Sequence, residues 1–208
     1  MRIVHYLNQF FGGIGAEAAA DAPLSVRAGA VGPGRALQGL LGQDATIVAT
    51  LICGDNTAQQ EGDALAAAAV LVALARGADV LVAGPAFQSG RYGLACAAVA
   101  AAAHHAGLHA LTAMHPENPG VSLCPTAVPV AIAGENAADM MEALQRLAPL
   151  AVKLGRGEPL GSPEQDGYVK RELRRNTVAP QTAAVRAVDM LLAKMAGRPV
   201  VTELPRPY

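Results

Sequence analysis

Four short polar segments, each following an apolar run, hold most of the residues able to do chemistry. They are Asn8-Gln9-Phe10-Phe11-Gly12, Cys53-Gly54-Asp55-Asn56, the stretch GPAFQSGRYG (84–93) with Phe87, Arg91 and Tyr92, and MHPENPGV (114–121) with His115, Glu117 and Asn118. Amides and carboxylates of this kind orient a small polar ligand. An arginine fork suits a carboxylate or phosphate. For Arg91 the alternative is an ion pair with Asp55 or Glu117 from neighbouring loops. His115, Glu117 and Asn118 suit acid–base work or amino-acid binding; alternatively Pro116 and Pro119 shape a rigid turn and the polar chains cap backbone groups. Cys53 reads as a structural or pocket-lining thiol, because Asp55 beside it raises the thiol pKa and blunts it as a nucleophile. Catalytic residues stay unassigned.

Other motifs carry less. Gly13-Ile14-Gly15-Ala16-Glu17-Ala18 matches a dinucleotide-binding fingerprint, but Pro23 and the later glycines stop a long helix, and no acidic residue ends a second strand at the required distance. A tight turn fits better. Cys53, Cys96 and Cys124 have no metal-type spacing, so no metal site is expected. Cys96 falls in an Ala-rich helix and reads as core. His5 reads as a core or edge histidine, and His104 and His105 favour a helix dipole. Arg171, Arg174 and Arg175 read as a basic face, solvated or at a partner contact.

The elements that must position these loops alternate. Strands are expected at Arg2–Leu7, Thr46–Ile52, Asp79–Ala83, His109–Ala113 and Pro129–Ala133, with helices at Arg35–Leu41, Thr57–Arg76, Arg91–Ala106 and, capped by Asn136, on to about Leu154. Residues 11–42 read as a long functional loop ending in the first of these helices. A polar, turn-rich stretch follows, with a short helix near Glu164–Arg174. An amphipathic helix spans about Thr182–Ala196, carrying Val185, Val188, Leu192 and Met195 on one face. The last residues, VVTELPRPY, read as a linker. Strand–helix alternation implies a mainly parallel sheet, whose crevice lies at the carboxyl ends of the strands. All four polar loops fall there.

The chain has 208 residues, net charge −1, 52% hydrophobic residues, 16% charged residues and 3% aromatics, with no Trp. This suffices for one ordinary α/β domain. The near-neutral charge argues against nucleic acid or an anionic membrane as partner. The scarcity of aromatics argues against base-stacking platforms. Low charge content suggests surface buried against another chain. The longest apolar run, Ala64–Ala75, is too short to span a bilayer, which needs roughly 20 residues. With no signal-like N-terminus and an odd number of cysteines, the expected location is the cytoplasm.

Several segments together resemble one known family. RIVHYLNQFFGGIGAE, VGPGRAL, VATLICGDN, AGPAFQSGRYGLAC, ENPGV, GSPEQDGYVKRELRRN and AVDMLLAKMAGRP are similar, in order, to the selenoprotein B component of glycine, sarcosine, betaine and D-proline reductases. The resemblance covers the amino-terminal half of that family's usual chain. It implies reductive cleavage of a C–N bond. A pyruvoyl-bearing partner holds and activates the amine, and a selenolate attacks the α-carbon. The family's selenocysteine or cysteine motif lies in the other half, and nothing here matches it or a pyruvoyl precursor.

The combined expectation is a single α/β domain, three-layer and flavodoxin-like, with residues 1–155 carrying the loops and 156–208 forming a helical extension and linker packed on it. The chain would be a subunit of a glycine/betaine/sarcosine-reductase-like oxidoreductase complex, inactive alone. Its pocket would take a small amine or amino-acid derivative. Arg91 would meet an anion, and Asp55, Asn56, Glu117 and Asn118 would orient the amine or a partner backbone. The resemblance implies selenocysteine or cysteine and pyruvoyl groups on partner chains and no cofactor in this one, with a second subunit carrying the redox nucleophile. A homo-oligomer is the other assembly considered. The rival reading is a non-catalytic assembly subunit whose crevice binds a partner protein.

Overall fold

The structure, a computed structural model, describes residues 1–171 and 181–200. The chain divides into two compact units, Met1–Arg171 and Glu172–Tyr208.

The first unit is built on one six-stranded sheet. Its strands are β1 (Arg2–Asn8), β2 (Ser25–Ala28), β3 (Thr46–Cys53), β4 (Val80–Ala83), β5 (His109–Met114) and β6 (Val130–Ile132), in the order β2-β3-β1-β4-β5-β6. All neighbours are parallel except β2, an antiparallel edge strand on β3. Without β2, the parallel strands follow the doubly wound order 2-1-3-4-5. The strands are near-continuous apolar runs because helices cover both faces. On one face lie α2 (Asp55–Gln60), α3 (Gly62–Ala75) and α4 (Gly90–His105), with a core of Ala66, Ala69, Ala73, Ala97, Ala100 and Ala103 against Val4, Leu51 and Leu81. Alanine side chains this small let the helices lie close to the sheet. On the other face α1 (Gly34–Leu41) and α6 (Met140–Gly155) pack Leu37, Leu41, Leu144 and Leu147 on Ile3, Val80 and Leu111. The short helices α5 (Gly120–Leu123) and α7 (Pro163–Asp166) complete this unit.

The mainly parallel α/β sheet expected from the sequence is the one observed. Three local expectations differ. Residues 25–28 are not loop but β2, which shows no alternation because three of its four residues are exposed on the edge. The helix expected over Thr57–Arg76 is broken at Glu61 (φ −106°, ψ 14°), which ends α2 and starts α3. Gly62 follows, and glycine costs about 1 kcal/mol in a helix interior, so the chain breaks there rather than continuing. Of the helix expected near Glu164–Arg174, the described residues, up to 171, form a single turn, α7, capped by Ser162 and stopped by Gly167 in the left-handed region (φ 73°). Asn136 does cap: its side chain accepts the Ala138 N–H, and Asp139 accepts in return from the Asn136 backbone. The segment 156–171 belongs to the same compact unit.

Within the second unit, α8 (Ala183–Met195) is capped by Thr182, whose hydroxyl accepts the Val185 N–H at 3.3 Å. Val185, Val188, Leu192 and Met195 are exposed on it. Arg174, Arg175 and the terminal segment from Val201 lie outside the described residues. Arg171 is not a solvated cation: its guanidinium donates to the carbonyls of Cys124 at 2.8 Å and of Val128. No helix among the described residues is long and apolar enough to cross a membrane.

Candidate functional site

In a doubly wound sheet the crevice opens where successive connections leave on opposite faces. Here that point is the carboxyl end of β1, between β3 and β4. Asn8 sits opposite Cys53 in the register, and Tyr6 opposite Ala83. A cavity of about 340 Å³ opens there, within the size range of small-ligand sites. Its walls include Asn8, Gln9, Asp55, Phe87, Arg91 and Glu135.

Asp55 is the centre of its polar network. It lies just past the end of β3, and the residue is only 6% exposed. Its Oδ2 accepts from Asn8 Nδ2 at 3.0 Å and Gln9 Nε2 at 3.3 Å, and its backbone N–H donates to Gln9 Oε1 at 2.9 Å. Its Oδ1 is buried and has no hydrogen-bond partner. Burial pushes the carboxyl above its ordinary value, and the bonds from Asn8 and Gln9 pull the other way.

The loop after β1 supplies the opposite wall. Gly12 donates its N–H to the Asn8 carbonyl at 2.8 Å, turning the chain, and a Cβ there would stand 2.4 Å from Ile52 Cγ2. The glycines of the 13–18 motif form a turn, with Gly13 at φ 71°, and a single 3-10 turn (Glu17–Ala19) follows in place of a long helix. The loop then crosses the end of β3. Gly54 and Asn56 donate their N–H groups to the Ala22 and Ala20 carbonyls at 2.8 and 2.9 Å. A Cβ on Gly54 would be 2.1 Å from the Ala20 oxygen, so only glycine permits this crossing.

The crossing delivers Glu17 to Arg91. Both Glu17 oxygens accept from Arg91 Nη2, at 2.7 and 2.9 Å, and Arg91 Nη1 donates to Asn56 Oδ1. Arg91 therefore has a carboxylate partner, but it is Glu17 rather than Asp55 or Glu117. The pair is distant in sequence, and no spacing rule announces it. Glu17 holds the guanidinium above its ordinary pKa.

All three phenylalanines of the chain, Phe10, Phe11 and Phe87, line this cavity. Phe11 meets Phe10 edge to face and Phe87 at a tilt, with ring centroids 5.2 and 5.9 Å apart. Phe87 has φ 52°, in the left-handed region that a bulky residue rarely adopts. Its carbonyl is fixed there by the His115 N–H at 3.0 Å and by Asn118 Nδ2 at 2.8 Å.

Of the eleven sequence candidates, Asn8, Gln9, Asp55, Phe87 and Arg91 meet in the cavity wall, and Asn56 joins through Arg91. The others lie elsewhere. Asn118 is buried, with its amide donating to the Phe87 and Ser89 carbonyls and its oxygen accepting the Gly120 N–H. It shapes the loop that carries Phe87. His115 Nδ1 accepts the Glu117 N–H at 3.2 Å, and neither side chain lines the cavity. Tyr92 is fully buried beneath the site, with its hydroxyl 3.4 Å from the Tyr6 carbonyl. Cys53 is buried, and its thiol is pushed up to about 11, first by desolvation and then by Glu61. Glu17, Ser89, Glu135 and Asn136 also line the cavity and were not among the candidates. Asn136 was legible as a helix cap, which is also what brings it and Glu135 to this rim.

Among the described residues no group of His, Cys, Asp and Glu side chains is arranged to hold a metal ion. No solved structure matches the chain significantly. A family described as glycine/sarcosine/betaine reductase selenoprotein B matches residues 1–208. The chain is 44% identical, over 99% of its length and 48% of the relative's, to a glycine reductase complex component B subunit gamma of Carboxydothermus hydrogenoformans. It is 39% identical to a sarcosine reductase complex component B subunit beta, and 36% identical to a betaine reductase complex component B subunit beta, both of Peptoclostridium acidaminophilum. These matches cover 100% and 99% of the chain and 48% of each relative. The chain thus spans about half the length of the curated relatives it matches. With the match running the whole length of the sequence, the chain belongs to the glycine/sarcosine/betaine reductase selenoprotein B family.

Proposed function

We propose that this chain is a subunit of a reductase complex of the glycine/sarcosine/betaine type, and that its switch-point cavity holds a small amine or amino-acid derivative for reductive C–N cleavage. The observation that carries the reading is that the cavity wall holds both a carboxylate, Asp55, oriented by the Asn8 and Gln9 amides, and an arginine, Arg91. An ammonium group is the natural counter-charge for such a carboxylate. Arg91 stands across the same cavity as the group for a ligand carboxylate, with Glu17 holding it until a ligand competes.

The residues of this chain do not fit the redox nucleophile. Cys53, Cys96 and Cys124 are all buried. Burial raises all three thiols, Cys53 and Cys124 to about 11. A useful thiolate needs an exposed, electropositive setting. In this reading the selenocysteine or cysteine nucleophile and the pyruvoyl group are supplied from outside these 208 residues, which bind and orient. Titrating the 208-residue chain with sarcosine by calorimetry tests the reading. Saturable binding that Asp55→Ala removes supports it. Absence of binding, or binding indifferent to Asp55, overturns it.

A further inference from the structure

The apolar run Ala64–Ala75 forms most of α3, and it leaves that helix without a polar side between Asp63 and Arg76. Leu65, Ala69 and Ala73 pack inward on the sheet. On the outside, Leu71 is 68% and Leu74 50% exposed, with Ala64, Ala67 and Ala75 exposed beside them. A helix on a solvated surface carries polar residues on its outer side, and one that is apolar all round is covered. The outward positions 64, 67, 71 and 74 recur at alternating spacings of three and four, the pattern of a helix–helix seam.

We infer that this face is an interface between two copies of the chain, with α3 packed antiparallel on α3 of the second copy across a two-fold axis. Size and charge both commit it to that occupant. The seam is small in its first half, at Ala64 and Ala67, and large in its second, at Leu71 and Leu74. Antiparallel pairing sets Leu71 over Ala67 and Leu74 over Ala64 of the other copy, so large side chains fill the space beside small ones. Parallel pairing sets leucine on leucine and alanine on alanine. Asp63 lies at one end of the seam and Arg76 at the other, both exposed, and neither joins an ion pair among the described residues. The same antiparallel arrangement brings Asp63 of each copy to Arg76 of the other, twice by symmetry. A single pair of 14-residue helices buries less than the roughly 800 Å² per partner of a standard interface, so the dimer should dissociate in the micromolar range.

Sedimentation of the 208-residue chain between about 1 and 500 μM tests this, with thermal unfolding of each variant as the check on folding. A monomer–dimer equilibrium is expected. Leu71→Lys, at a largely exposed position, should weaken it at least about tenfold. Asp63→Arg should weaken it about five- to thirtyfold, because two pairs turn from attraction to repulsion. Adding Arg76→Asp to that variant should restore the dimer, which general apolar stickiness does not explain. A strict monomer at the highest concentration overturns the inference. So does a dimer indifferent to Leu71→Lys, or one lost instead in Leu192→Lys, which places the contact on α8. So does a charge reversal that the second reversal fails to rescue. None of these outcomes bears on the cavity, so the proposed function stands or falls separately.

Discussion

Gln9 holds Asp55 at both ends: its side-chain oxygen accepts the Asp55 N–H at 2.9 Å, and its amide nitrogen donates to Asp55 Oδ2 at 3.3 Å. With Asn8 donating to the same Oδ2, one carboxylate oxygen is fixed and the other is buried without a partner. Two consecutive amides at the end of β1 thus orient a carboxylate at the end of β3, and the parallel register of the two strands sets the distance. Replacing Gln9 by Ala should leave Asp55 in place but less constrained. Sarcosine binding should weaken less than the about 1.5–3 kcal/mol expected for Asp55→Ala, the range for a hydrogen bond to a charged group. Calorimetry on both variants checks the order; a larger loss for Gln9→Ala than for Asp55→Ala would contradict it.

Glu17 competes with a ligand carboxylate for Arg91. The pair is solvent-exposed, so it adds little to stability. Glu17→Gln should barely shift thermal unfolding, yet should tighten acetate, a carboxylate without an amine, by a few-fold. Unchanged or weaker acetate binding in the variant counts against Arg91 as the anion group.

Gly54 is needed for a close crossing and not for an unusual φ. Gly54→Ala puts a Cβ 2.1 Å from the Ala20 oxygen, a backbone atom with nowhere to go. The cost should reach the upper end of the ~1–3 kcal/mol typical of overpacking. Because the same crossing carries Glu17, the variant should also change acetate affinity. Gly39→Ala, which meets nothing within 4 Å and lies inside α1, is the control and should be neutral to stabilising, by up to about 1 kcal/mol. Urea denaturation of the pair reads the difference.

His5 is fully buried, and burial pushes its imidazole from 6.5 down to about 4 against a hydrogen bond with the Gly84 carbonyl. The folded chain therefore keeps His5 neutral where the unfolded chain protonates it. Its contribution is full above pH 6.5 and is lost as pH falls toward 4, by about 3 kcal/mol in all. Asp55, raised in the fold, works in the opposite direction over its own range. The measurable quantity is the slope of unfolding free energy between pH 6.5 and 4.5. It should be positive with pH in the natural chain and smaller in His5→Gln. Equal slopes would mean that His5 does not titrate as described.

Much of this was legible in the sequence. Arg2–Leu7, Thr46–Ile52 and His109–Ala113 are apolar runs of strand length, and each survives within a residue at its end. The polar segments after them fall at one sheet edge because parallel strands must end there together. What the sequence did not show depends on contacts across long separations. Glu17 meets Arg91 from 74 residues away through a crossing set by Gly54. Asn118 and Asp55 look alike as polar loop residues, but Asn118 satisfies backbone groups around Phe87, while Asp55 is oriented by Asn8 and Gln9 and keeps one oxygen unpartnered. Only the hydrogen-bond count separates those two roles.

The central claim is that the ligand sits at the end of β1 between Asp55 and Arg91. Amide chemical-shift mapping of the isotope-labelled 208-residue chain, titrated with sarcosine, tests it most directly. Shifts should concentrate at Asn8, Gln9, Asp55, Phe87 and Arg91, and His115 and Glu117 should stay largely still. Saturable shifts centred on residues 115–121, or spread along α8 with none at Asp55, would contradict the account.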